Sequence, residues 1–226
     1  MKRVQPAAMS DRSKELLLLL GEELKQPLIA ISQLAEIQGD NQGEVSAYAR
    51  QALQTIDNML LYQRFSSGQL AIQLEPVHVG ATMQEVAQKM APLAKAMGCH
   101  ISIQVAHGLQ PVDVDRRLLR SALISLWQAF LTNISTETEV VCRAKKTSKG
   151  VYLSLQSTDA DLANIHLNRP NFDSTQPLQG VAGASADLLT AQAMFSLLRT
   201  DISKKCTKTT AGFGLTLLPS KQLQMV

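Results

Sequence analysis

Glu22-Glu23-Leu24-Lys25-Gln26-Pro27-Leu28 sits in the middle of the apolar run on which the fold turns. Leu17, Leu20, Leu24, Leu28, Ile31, Leu34 and Ile37 recur at three- and four-residue spacing, which brings them to one face of a long helix from about Ser10 to Gln38. Ser10 or Asp11 can cap its start. Pro27 falls inside the pattern, where a missing backbone donor costs about 3 kcal/mol in an ordinary helix interior and produces a kink. Gly39-Asp40-Asn41-Gln42-Gly43 is a turn, and a second helix is expected from about Glu44 to Phe65, with Val45, Tyr48, Ala52, Ile56, Met59 and Leu60 toward its partner. Two antiparallel helices with one apolar stripe each make a poor isolated core. Pairing with a second copy into a four-helix bundle buries both stripes, so a homodimer is expected; the alternative is that the hairpin packs on the rest of its own chain.

Ser66-Ser67-Gly68-Gln69-Leu70 breaks the helical period, and a domain boundary is placed there: a helical hairpin over residues 1–70 and an α/β sandwich over residues 71–226. Ala71 to Leu74 alternates like a short strand before Glu75-Pro76-Val77. A helix from about Thr82 to Met97, a strand from His100 to Val105 and a helix from about Asp115 to Thr132 follow. Two strands come next, Glu139 to Ala144 and Val151 to Gln156, joined by a basic turn from Lys145 to Gly150. An irregular stretch from Ser157 to Gly183 precedes a helix from about Ala186 to Leu198 and strands near Ile202 to Thr207 and Gly212 to Leu218. Helices alternating with a largely antiparallel sheet give an α+β fold of two layers.

The 226 residues are 45% hydrophobic, enough to fill a core of this size, and disorder is not expected. A net charge of +3, from 22 basic and 19 acidic residues spread along the chain, does not make a nucleic-acid footprint. Cys99, Cys142 and Cys206 are odd in number, far apart and without ligands at metal spacing, so they read as reduced thiols of a cytoplasmic protein with no metal site. The apolar run Leu16 to Leu20 is far short of the roughly 20 residues that span a bilayer, and no signal-peptide apolar region follows Met1. If Met1 is the natural start, no anchor or sensor domain is expected, and input must come from a partner.

The box at Glu22 resembles the phosphoacceptor box of sensor histidine kinases, roughly His-Glu-Leu-Arg-Thr-Pro-Leu, with glutamate in the place of the phosphorylated histidine. Ile56 to Leu70 resembles that family's helix end and linker, and Leu74-Glu75-Pro76-Val77 the strand that opens its ATPase domain. Asp115-Arg116-Arg117-Leu118-Leu119-Arg120-Ser121-Ala122-Leu123 resembles the start of its N-box helix. Taken in order, these stretches imply a dimerisation and phosphotransfer hairpin followed by a Bergerat-type ATPase domain.

The same resemblance implies that the catalytic residues are degenerate. A carboxylate at Glu22 cannot form a phosphoramidate. The N-box position that holds magnesium is matched by Ala129, and a methyl group cannot ligate a metal that demands oxygen donors. Asn133, one turn on, replaces it only if the nucleotide is displaced. The first glycine box aligns with Ser157-Thr158-Asp159-Ala160-Asp161 and the second with Gly183-Ala184-Ser185-Ala186-Asp187, so the positions Ser157, Asp159, Asp161, Gly183, Ser185 and Asp187 do not rebuild a phosphate cradle. A carboxylate at Asp187 would repel phosphates, and reads instead as a first-turn complement to the helix dipole. Glu23 matches the family's general base and Gln26 the residue that orients water for dephosphorylating a partner; without an acceptor, Glu23 reads as a solvated helix residue. His78, His100, His107 and His166 read as ordinary histidines.

The resulting expectation is a pseudokinase of the histidine kinase type. It carries no catalytic residues and binds neither ATP nor magnesium. It dimerises and docks a response-regulator receiver domain or a related histidine kinase through Ile29, Ser32, Gln33 and Glu36 of the first helix. The alternatives are an active but divergent ATP-binding kinase or phosphotransferase, and a protein in which Glu22 mimics a phosphorylated histidine. In the resemblance Ser157 to Gly183 is the ATP lid, expected to lie over the cleft or to lack order.

Overall fold

The computed structural model describes residues 23, 24, 27, 31, 42–134, 138–158, 186–207 and 210–220. Glu23, Leu24, Pro27 and Ile31 are helical, so the proline is accommodated within a helix as the periodicity requires. The rest of the first helix expected from Ser10 to Gln38 lies outside the described residues. Helix α1 (Gln42–Ser66) covers the second helix expected from Glu44 to Phe65. Strand β1 (Glu75–Val77), helix α2 (Val79–Ala96), strand β2 (His100–Val105), strand β3 (Val112–Val114) and helix α3 (Arg116–Leu131) follow. Then come β4 (Glu139–Thr147), β5 (Gly150–Ser157), helix α4 (Ala186–Leu197), β6 (Ser203–Cys206) and β7 (Ala211–Leu217).

The main sheet has five strands in the order β2-β4-β5-β7-β6. β2 and β4 are parallel and the other pairs antiparallel. A separate two-stranded sheet pairs β1 with β3, placing Glu75 opposite Val114. The sequence does not announce β3, because three residues are too short for alternation to register. The residues from Ala71 to Leu74, expected as a strand, form none. The turn expected from Lys145 to Gly150 is shorter: β4 runs on to Thr147 and β5 begins at Gly150, leaving a two-residue hairpin. Gly150 has φ of +137° there, and a side chain on it would run into the Leu217 carbonyl.

Helix α3 is buried on nearly every side, from Leu118 and Leu119 through Trp127 to Leu131, as expected of a helix lodged between a sheet and other helices. Asp115 starts it, accepting from the backbone amides of Arg117 and Leu118, and also from that of Gln73. Burial opposes ionisation of Asp115, but the Arg117 guanidinium and these amides hold its carboxyl below the usual range. Phe130 meets Phe213 of β7 edge to face, with ring centroids 5.9 Å apart, and so ties α3 to the sheet. The main core joins α2, α3 and α4 to the sheet's inner face and reaches Phe65 at the end of α1.

Candidate functional site

Ala52, Thr55, Asn58 and Met59 recur on one face of α1, and all four are buried against the helices of the sandwich. Along this face α1 packs on its own chain. The stripe read from the sequence is therefore divided: Ala52 and Met59 are covered, Ile56 is half-buried, and Leu60 is 50% exposed, with Leu53 at 61%. The side chains of Val45 and Tyr48 lie outside the described residues.

The seam under α1 is polar. The Asn58 amide donates to Ser125 Oγ of α3 at 2.8 Å and accepts from Gln54 Nε2 at 2.8 Å. Gln128 Nε2 donates to the Gln51 carbonyl at 3.3 Å. The Thr55 hydroxyl lies 3.0 Å from Asp187 Oδ1 on α4 and 3.1 Å from the Gln51 carbonyl oxygen. Thr55 has one proton and two acceptors in reach. A protonated Asp187 supplies the second proton and satisfies the set.

Asp187 is 6% exposed. Burial pushes its carboxyl up to about 7, the Thr55 hydroxyl works against that, and the negative charge of Glu23 adds to it. Glu23 comes from the hairpin's first arm and accepts a hydrogen bond from the Ala186 backbone amide, in the first turn of α4. Burial also raises the Glu23 carboxyl, against the pull of that amide. The expected solvated residue is thus half-buried and engaged, because the hairpin lies against α4 rather than apart from it. Leu24, Met59, Tyr62, Ala186 and Leu189 form a small apolar cluster that holds the two carboxylates together. Asp187 stands in the first turn of α4, as expected of a complement to the helix dipole. It is enclosed beneath α1.

The other residues of interest distribute as follows. Ala129 is buried within α3, its methyl part of the core. Asn133 donates its side-chain amide to the Ala129 carbonyl at 2.7 Å and so closes its own helix end. Ser157 ends β5, buried and paired opposite Val140 and Ala211. Glu22, Gln26, Ile29, Ser32, Gln33, Glu36, Asp159, Asp161, Gly183 and Ser185 lie outside the described residues, as does nearly all of the lid segment. Sequence reasoning does not single out Thr55, Asn58, Ser125 or Gln128. A signal is present for Thr55 and Asn58, which share a helix face with Ala52 and Met59.

Among the described residues no group of three or more His, Cys, Asp and Glu side chains is placed to hold a metal, and no helix is long and apolar enough to cross a membrane. Neither a family model nor a curated protein matches the sequence. Solved structures do match. The histidine kinase AdeS of Acinetobacter baumannii superposes with a TM-score of 0.59 at 12% identity, over 88% of this chain and 98% of that one. The histidine kinase ThkA, in a complex with the response regulator protein TrrA, gives a TM-score of 0.57 at 13% identity, over 99% of this chain and 69% of that one. The cytoplasmic segment of the histidine kinase QseC gives 0.51 at 10% identity, over 74% and 95%. The fold is therefore that of histidine kinase catalytic and cytoplasmic domains.

Proposed function

We propose that this chain is a non-catalytic signalling protein of histidine kinase type, which dimerises through its hairpin and binds a response-regulator receiver domain or a related kinase. The observation that carries the reading is the Glu23 carboxylate on the Ala186 amide. A helix N-terminus is a natural anion site, and in the resemblance the start of this helix faces nucleotide phosphates. Here the protein's own carboxylate takes an amide of that turn, and a second carboxylate, Asp187, is buried beside it. A triphosphate brought to the same place would meet two acidic groups and would have to displace the hairpin. Ala129 supports the same conclusion, since a core methyl offers no oxygen to magnesium.

Dimerisation follows from the part of α1 that intramolecular packing leaves uncovered. Leu53 and Leu60, with half-buried Ile56 between them, form an apolar strip at helical spacing on the outer side. A second copy offers the same strip in return. The receiver-docking positions proposed on the first helix are Ile29, Ser32, Gln33 and Glu36. A histidine kinase of the same fold has been solved with a response regulator, which makes such a partner the natural first candidate.

Two measurements test this reading. Incubation with labelled ATP and magnesium, followed by acid- and base-stability assays, is expected to leave the protein unlabelled; label on a histidine would defeat the non-catalytic reading. Light scattering at micromolar concentration is expected to show a dimer for the natural protein and a monomer for Leu60→Glu. A monomeric natural protein would remove the dimer.

A further inference from the structure

The helices cover one face of the main sheet, and the opposite face carries a cleft of about 600 Å³. Arg143 and Lys145 of β4 line it, with Tyr152, Ser154 and Gln156 of β5 and Lys205 of β6. Strand alternation accounts for the set: positions 143 and 145, 152 to 156 by twos, and 205 all point away from the helices. Thr147, Thr207 and Thr210 also line it, the Thr147 hydroxyl donating to the Gly150 carbonyl and those of Thr207 and Thr210 paired with each other. Among the described residues no carboxylate lines it. Glu139, on the same side of β4, stands beyond Val141 and outside the cleft.

Between β5 and β6 runs β7, whose positions on this face are Gly212, Gly214 and Thr216. A Cβ at Gly214 would collide with Tyr152 Oη, so the phenol lies across the strand backbone and the glycine is what admits it. The Lys145 ammonium sits 5.3 Å from the centre of the Tyr152 ring. Arg143 is held between two neutral acceptors, donating from Nε to Gln104 Oε1 at 2.8 Å and from Nη1 to Gln156 Oε1 at 3.0 Å. These bonds fix the guanidinium over the sheet without cancelling its charge. Among the described residues no carboxylate lies within ion-pair distance of Arg143, Lys145 or Lys205. A sheet face kept soluble by charge alone would need neither the oriented arginine nor the glycine lane beneath the tyrosine.

We infer that this open face of the sheet binds a soluble phosphorylated small molecule, with Arg143, Lys145 and Lys205 taking its phosphates. The volume falls within the range of small-molecule sites, roughly 300 to 1,000 Å³. Three cations, with no carboxylate among the described residues to compensate them, match phosphate oxygens, which accept charge-assisted hydrogen bonds. The site lies on the opposite face from the Glu23–Asp187 contact and does not depend on the signalling role proposed above.

Calorimetric titration of the full chain with inorganic tripolyphosphate at low salt tests the inference. Saturable binding at one site per chain is expected, weakened about fivefold or more by Arg143→Gln or Lys205→Gln, the effect of one unit charge at contact distance in water. Lys95→Gln, which removes a cation on the helical layer, is expected to change nothing. Both cleft substitutions fall at surface positions, and matching thermal unfolding curves verify that the variants are folded. Absence of saturable binding up to millimolar tripolyphosphate would overturn the inference, as would binding indifferent to both substitutions. Capture by anionic vesicles or RNA without tripolyphosphate binding would also overturn it, by assigning the face to a macromolecule.

Discussion

Replacing Asp187 by asparagine isolates the titration of the buried carboxylate. In the unfolded chain an aspartate ionises near 3.8, whereas burial under α1 raises Asp187 to about 7. Between those values the folded state keeps a proton that the unfolded state has lost, so stability is highest at acid pH and falls as pH rises, levelling off above about 7. The full difference of about three pK units corresponds to about 4 kcal/mol, of which about 3 kcal/mol falls between about pH 5 and pH 8. For a chain of this size that is a change of roughly 6 to 12 °C in Tm. The side-chain amide of the D187N variant keeps the shape and can donate to the Thr55 hydroxyl oxygen as the protonated acid does, but it carries no charge. Thermal unfolding of both proteins across this range gives the difference, since the other titrating groups are shared and only Glu23, whose charge acts on Asp187, feels the change. The advantage of the variant over the natural protein is expected to grow by about 3 kcal/mol from near pH 5 to near pH 8. Parallel curves for the two proteins would refute the reasoning, because they would mean that Asp187 is ionised and solvated at neutral pH.

Two further outcomes follow from the buried groups. Asn58→Ala strips the Ser125 hydroxyl of its donor in a fully buried seam and is expected to cost about 1–3 kcal/mol in urea unfolding; adding Ser125→Ala should recover part of that loss, whereas simple additivity would show the pair to be uncoupled. Burial pushes the Cys142 thiol up to about 12, so iodoacetamide is expected to leave it unmodified in the native protein at pH 8 and to label it in denaturant, as peptide mapping by mass spectrometry would read.

Most of the elements are legible in the chain because their signals are local. The strand from His100 to Val105 has its expected bounds, and the helix expected from Asp115 to Thr132 is α3 with those two residues as its caps. Capping by Asp115 needs only two amides within three residues. Errors fall where the local signal is brief or ambiguous. β3 has three residues, and the β4–β5 hairpin reads as a longer basic turn because Lys145, Lys146 and Lys149 are polar whether they lie in a strand or a loop.

The candidate site is legible as a set of residues but not as an arrangement. The sequence places an acid at Glu23 and another at Asp187, yet their ionisation depends on what covers them. Thr55 and Asp187 are 132 residues apart and meet only because α1 folds back over α4. The outward half of the α1 stripe has the same hydrophobic spacing as the inward half, and only packing separates Met59 from Leu60. Arg143, Lys145 and Lys205 likewise read as scattered surface charges until strand order puts β4 and β6 on one sheet with the glycines of β7 between them. By itself the sequence determined most of the helices and strands and the glutamate at position 22, since each rests on neighbouring residues or on the identity of one. Tertiary structure alone decided which carboxylates lose water and which cations share a face, because electrostatic energy depends on distance and burial, and neither is written in the order of the chain.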